Sequence, residues 1–270
     1  MRITVRAFLL GMLTLLLPVE SRAQEPDSSG LRDAAGGGGP PPLPDALYAS
    51  RQTVASRART RPRGRVVTVA TTALVLHEVL REAGNVWVGS RYCAIRQDKL
   101  GNVGTEMGRG FVEAIPEWEE VARIEGPGGG PWRVEVAERV VVLGAELVDP
   151  ARDPLPSSAG DPRIRDPDGD GHPGVTVAVS GFVSGEVYLV QRLIRGLRGT
   201  LEPNGSMRGV VTGSSDQEVV GASNPLIKAF TPRFQQDPDP STSLLEWVPV
   251  PRSTACEELV ASEADLFGIP

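Results

Sequence analysis

Residues 185–222 read GEVYLVQRLIRGLRGTLEPNGSMRGVVTGSSDQEVVGA, and the texture of this stretch decides the fold class. Short apolar runs, Val187 to Ile194, Leu197 to Leu201, Met207 to Thr212 and Val219 to Ala222, succeed one another with turn-forming residues between them. Pro203-Asn204-Gly205 joins two of these runs, and Asn-Gly is a favoured hairpin pair because both residues tolerate positive φ. The run just upstream, Val175 to Val183, alternates in the same way. Strands that follow one another through short turns suit an up-and-down topology.

Working outward, Val66 to Val69, Val86 to Val88, Trp132 to Val136, Val140 to Leu143 and Leu244 to Val250 are further β-branched runs bounded by Gly, Pro or Asn. Leu74 to Leu80 fits a strand or a short helix equally. With 31 Gly, 24 Pro and no long amphipathic helix, the expected class is mostly β. The expected architecture is an antiparallel β-sandwich or β-barrel with a long Asp/Pro-rich loop. One β-rich domain is expected over residues 65–260, followed by a C-terminal tail, 261–270. Residues 24–64 contain Gly36-Gly37-Gly38-Gly39-Pro40-Pro41-Pro42 and lead into five arginines between Arg57 and Arg65. They read as a disordered linker. Within it, Asp45 to Ala58 suggests at most a marginal helix without an apolar face.

The long loop, Arg152 to Asp170, carries the strongest chemical signal. In Asp166-Pro167-Asp168-Gly169-Asp170-Gly171, carboxylates at positions 1, 3 and 5 precede a glycine at position 6, the spacing that wraps a hard cation such as Ca²⁺. His172 at position 7 can offer its backbone carbonyl. The bidentate Glu of an EF-hand is missing, since position 12 is Val177, and the alternating run from Gly174 leads into a strand rather than a helix. Asp153, Asp161, Asp237 and Asp239 are candidates to complete the shell. Incomplete ligation predicts weak affinity, about 10⁻⁴–10⁻³ M. The competing reading is an acidic turn, because Asp, Gly and Pro are also ordinary turn residues.

The Asp166–Gly171 pattern resembles the aspartate-rich calcium loops of secreted bacterial proteins, including the dockerin and thrombospondin type-3 kinds. The resemblance spans about a dozen residues and transfers to Asp166, Asp168 and Asp170. The wider stretch, from this loop through Gly185–Arg192 to Cys256, resembles uncharacterised secreted proteins of high-GC bacteria, a likeness that implies no activity.

Arg2 and Arg6, the apolar run Ala7 to Leu17 and the small-x-small Ser21-Arg22-Ala23 compose a secretory signal, with cleavage expected after Ala23. Periplasmic or extracellular residence follows. The apolar run is too short for a membrane span of about twenty residues, and no transmembrane segment is expected. Without residues 1–23 the chain holds 25 basic and 33 acidic residues, a net charge of about −8. That balance argues against nucleic-acid binding through phosphate neutralisation. The two cysteines, Cys93 and Cys256, favour a disulfide in an oxidising compartment. The chain-entropy treatment gives that bridge roughly 5 kcal/mol as an upper figure.

Catalytic signatures are scarce. The sequence has no Gly-x-Ser-x-Gly, Walker loop or His-Glu-x-x-His, and only two histidines, His77 in an apolar segment and His172. Glycosidase carboxylate pairs need no local motif, so Glu113, Glu135 and Glu186, on expected strands, stay as candidates. Trp87, Trp118, Trp132 and Trp247 suit a core, a sugar platform or a cavity wall. The leading expectation is an exported noncatalytic β-domain whose loop is stabilised by Ca²⁺, with a binding or structural role towards a protein, glycan or apolar ligand. The alternatives are a lipocalin-like barrel carrying an apolar ligand and a glycan-directed lectin or hydrolase.

Overall fold

Alternation of buried and exposed residues persists further along the chain than the breaks in its sequence suggest. The computed structural model describes residues 43–59, 64–126, 131–231 and 234–268. Its elements are β1 (Ala46–Arg59), β2 (Val66–Glu82), β3 (Asn85–Gln97), β4 (Gly104–Glu106), α1 (Arg109–Glu113), β5 (Trp118–Glu125), β6 (Trp132–Leu143) and β7 (Val175–Ser180). Then come β8 (Gly185–Leu201), β9 (Met207–Ala222), α2 (Pro225–Phe230), β10 (Phe234–Gln236), β11 (Ser243–Val250), α3 (Cys256–Ala261) and α4 (Glu263–Phe267). The mostly antiparallel β class is therefore as expected. Among the described residues no helix is long and apolar enough to cross a membrane.

Every strand pairing is antiparallel, and the pairings close a ring. From β1 they run through β2, β3, β5, β6, β8, β9 and β11 and return to β1. Apart from the short insertions β4, β7 and β10, each strand in the ring pairs with its neighbours in sequence. The result is an eight-stranded up-and-down barrel, the closed form that leaves no sheet edge around the ring. At one end β4 and β7 bridge β3 to β8, and β10 pairs with the end of β1.

Several expectations need correction. The four short runs of residues 187–222 are two long strands, β8 and β9, paired from Val187↔Ala222 to Leu201↔Met207. Arg195-Gly196 and Gly213-Ser214-Ser215 look like turns because of their glycines. In a tightly coiled barrel wall, glycine instead lets neighbouring backbones approach. A Cβ at Gly213, where φ is +106°, would lie 2.0 Å from the Ile194 carbonyl oxygen. The hairpin at Pro203-Asn204-Gly205 is present, but only Gly205 takes positive φ (+83°); Asn204 accepts from the backbone N–H and hydroxyl of Ser206.

The linker expected over 24–64 does not extend as read, because Ala46–Arg59 forms β1 in the barrel wall. Its inward residues, Tyr48, Ser50, Gln52, Val54, Ser56 and Ala58, are largely polar or small, so the strand shows no apolar stripe. Residues 1–42, with the export segment and the first part of the linker, and residues 60–63 lie outside the described residues. Leu74 to Leu80 is strand. Glu113 ends helix α1 instead of lying on a strand. The expected tail, 261–270, also folds: it carries α4, which with α3 at the end of the expected domain covers the outer face of β1–β3, with Leu259 of α3 buried among Ala49, Leu74 and Leu76. Glu263 pairs there with Arg51 and Arg96. Cys93 of β3 and Cys256 of α3 are joined by a disulfide, their Cα atoms 5.0 Å apart, which fastens this cover to the wall.

Inside, the barrel is layered. One end is packed solid by Tyr48, Val79, Val88, Leu201, Met207, Leu245 and Trp247. Polar side chains form the middle layer. At the other end a second apolar cluster of Val175, Val187, Leu189 and Ile227, capped by Phe111 of α1, surrounds open space.

Candidate ligand-binding cavity and carboxylate loop

The middle layer begins at His77, which points inward from β2 and is 1% exposed. Its Nε2 lies 2.8 Å from Ser50 Oγ and its Nδ1 2.9 Å from Ser90 Oγ. Gln52 Nε2 donates to Ser50 Oγ at 3.1 Å, so the Ser50 hydroxyl is free to donate to His77 Nε2. In that arrangement the imidazole carries its proton on Nδ1 and donates it to Ser90; in the other tautomer the two roles reverse. The ring stacks on Trp247 with centroids 4.3 Å apart, and burial pushes its pKa down to about 3. His77 is thus a neutral, saturated core histidine, held by two serines and an indole.

Beyond this layer lies a cavity of about 150 Å³. Its polar wall includes Gln52, Gln97, Gln191, Gln217, Tyr92 and Arg195, and its apolar wall Ile95, Met107, Phe111, Val177, Val179, Leu189 and Leu193. The alternation of β8 places Leu189, Gln191, Leu193 and Arg195 side by side on the inner face. Two further arginines of the same strand, Arg192 and Arg198, have the opposite parity and lie outside. Nη1 of Arg195 donates to the carbonyls of Ile194 and Ser214 and to Gln236 Oε1, each at 3.0 Å. No residue of this inner wall is among the site residues expected from sequence. Arg195 escapes because Gly196 makes its segment look like a turn; once the strand is continuous, the period of two assigns its face.

The carboxylate loop is outside the barrel. Residues 144–174 fold back over the outer face of β8 and β9, held by the Ala145↔Ile164 bridge and by Leu155 and Ile164 packing on Tyr188, Val190 and Val220. Arg192 donates to the carbonyls of Pro150 and Asp153. Asp166, Asp168 and Asp170 converge, with carboxylate oxygens within 4.8 Å of one another, and this cluster could hold a metal ion.

Each carboxylate also organises backbone. Asp166 accepts from the N–H groups of Gly169, Asp170 and Gly171, Asp170 from His172 N, and Asp168 from Thr176 N at the start of β7. Burial pushes the Asp166 carboxyl up, but the Gly171, Gly169 and Asp170 amides and Asp168 outweigh it and hold its pKa below the usual range. Burial drives Asp168 the other way, to a raised pKa, reinforced by Asp166 and Asp170. Its Oδ1 is buried without a hydrogen-bond partner. Asp168 also packs against the backbone of α1: a Cβ built on Gly110 would stand 3.3 Å from its Cβ and carbonyl oxygen.

The His172 side chain turns away from the three carboxylates and stacks on Tyr188, ring centroids 4.2 Å apart, with Nε2 4.0 Å from Glu186 Oε2. None of the carboxylates expected to complete the shell arrives. Asp161 is engaged by Arg163, Asp153 accepts from Asp149 N, Asp237 pairs with Arg57, and Asp239 caps the turn at Pro240–Thr242. Each is consumed locally by its own neighbours. The glycosidase candidates also stay apart on the outside, Glu113 beside Arg109, Glu135 beside Arg198, and Glu186 beside Tyr188. Trp247 lies in the packed end of the barrel, while Trp118 and Trp132 are partly buried against the two clusters. No family model, curated protein or solved structure matches the chain, so its role has to be read from its own residues.

Proposed function

We propose that this chain is an exported, noncatalytic barrel that binds a small ligand in its interior, with the Asp166–Asp170 loop bracing the ligand end through Ca²⁺. The observation that carries the reading is the half-filled barrel: one end is solid, and the other keeps a cavity of about 150 Å³ with both apolar and polar walls. Concave, mostly apolar sites with a few placed polar groups, at the mouth of a β-barrel, are where small ligands bind. This favours the internal-ligand alternative over a lectin, whose site would lie on the outside.

Export is supported by the N-terminal signal and fits the Cys93–Cys256 disulfide. Outward positions such as Glu119, Arg123, Arg133, Arg198, Arg208 and Asp216 are charged and exposed, as a barrel surrounded by water requires; a membrane-spanning barrel would present an apolar band there. The Ca²⁺ assignment rests on three carboxylates whose oxygens converge within 4.8 Å, a like-charge cluster that a hard cation relieves. Through Gly110 the loop abuts α1, whose Phe111 caps the cavity.

The cavity reading is tested with benzene, which fills cavities of this size. Methyl resonances of Val177, Leu189 and Leu193 are expected to shift saturably as benzene is added, while those of Leu74 and Leu76 on the outer face do not. Unmoved cavity methyls at saturating benzene would remove the site.

A further inference from the structure

Arg195 is a half-buried cation of the inner wall that has no carboxylate partner among the described residues. Its side chain enters from β8 into the cavity, bordered by Tyr92 and Gln52. Its hydrogen bonds to the described residues leave from Nη1 and end on neutral oxygens, those of Ile194, Ser214 and Gln236. Among the described residues no carboxylate forms an ion pair with it, although the outer surface carries many Arg–carboxylate pairs. A guanidinium carries five N–H donors in a planar fork, and here one nitrogen takes all the partners. Burying a charge costs free energy unless a counter-charge accompanies it. Burial accordingly lowers the Arg195 pKa, and it raises that of Tyr92, so the neighbouring phenol stays neutral and cannot act as counter-ion.

We propose that the counter-ion is the ligand: the cavity takes a small amphipathic carboxylate, its head group on Arg195 and its apolar body against Leu189, Leu193, Val177 and Phe111. The inference rests on the reading of the cavity as a binding site and adds the ligand's charge and polarity. The other edge of the guanidinium, Nε and Nη2, donates to no described residue and suits two carboxylate oxygens at once. Tyr92 and Gln52 add neutral donors beside it. The cavity volume limits the apolar body to about one benzene ring or a short chain.

Titration of the full-length chain with benzoate and, separately, benzyl alcohol tests this, followed by the cavity methyl resonances. A charge-assisted pair is worth about 1.5–3 kcal/mol, so benzoate should bind roughly 10–100-fold tighter than the alcohol of equal size. In Arg195→Gln that preference should vanish, while the unliganded variant unfolds at the same or a higher urea concentration than the wild type, because an uncompensated charge has been removed. A purely structural arginine, holding β8 to β9 and β10, predicts the reverse on stability. Equal binding of benzoate and benzyl alcohol by the wild type would overturn the carboxylate inference and leave the cavity standing. Binding of neither probe would overturn the cavity reading itself. The wild-type ratio decides even if the variant does not fold.

Discussion

Lowering the pH from 7.5 to 4.5 should destabilise this protein through one residue, His77. Its folded pKa is depressed to about 3, against roughly 6.5 in an unfolded chain. The unfolded state therefore binds the extra proton first. The stability that neutral His77 confers is complete above pH 6.5 and is lost as pH falls towards 3. At pH 4.5, two units below the unfolded value, the loss is about 2.7 kcal/mol at 1.36 kcal/mol per unit. Two features bear on the size. Stacking on Trp247 favours an imidazolium by about 1 kcal/mol, whereas Arg195 lines the same small void as His77 and disfavours a second cation.

The carboxylates held below their ordinary range, Asp161 beside Arg163 foremost at about 2, lose their contribution only below about pH 4, outside this window. Urea unfolding at half-unit steps between pH 7.5 and 4.5 measures the effect, beside His77→Gln, which keeps polar atoms facing Ser50 and Ser90. The wild type should lose about 2–3 kcal/mol more than the variant, or roughly 5–10 °C in Tm for a domain of this size. Equal pH slopes in the two proteins would refute the reasoning, because they would mean that His77 takes up its proton inside the folded barrel.

Two further outcomes follow from the outer face. Ca²⁺ at a hundredfold excess over its dissociation constant should add about 2.7 kcal/mol, measured as Tm with Ca²⁺ against EDTA. The gain should disappear in Asp168→Ala/Asp170→Ala, and an unchanged wild-type Tm would reduce the loop to a turn. Reducing the Cys93–Cys256 bridge, or replacing both cysteines by alanine, should cost about 2–5 kcal/mol in urea unfolding. Hydrogen exchange should quicken first in α3 and α4, and uniform quickening across the barrel would count against a fastening role.

What the sequence determined by itself is local. Periodicity of two in Val175–Ala222 determines strands, short Gly- and Asn-containing turns determine antiparallel neighbours, and Asp at alternate positions followed by Gly determines a loop with three carboxylates on one side. Two cysteines in an otherwise cysteine-free chain limit the bridge to one pair. These properties need only near neighbours, and so they can be read without the fold.

Closure of the ring was decided by the tertiary structure, and closure decides which face of each strand is dry. Ala46–Arg59 looks like linker because Ser50, Gln52 and Ser56 are polar, yet they face inward, where Ser50 meets His77 and Gln52 donates to Ser50. Gly196 and Gly213 look like turns because a local reading cannot know that a neighbouring backbone will leave no room for a Cβ. Glu263 and its helix α4 look like tail until Arg51 and Arg96, more than 160 residues away, meet Glu263. Arg195 is one of 26 arginines in the chain, and nothing in its neighbours marks it out. Only the register of β8 within a closed barrel turns it inward, half-buried and, among the described residues, without a carboxylate partner. Long-range pairing sets burial, burial sets the electrostatics, and so the candidate site had to wait for the fold.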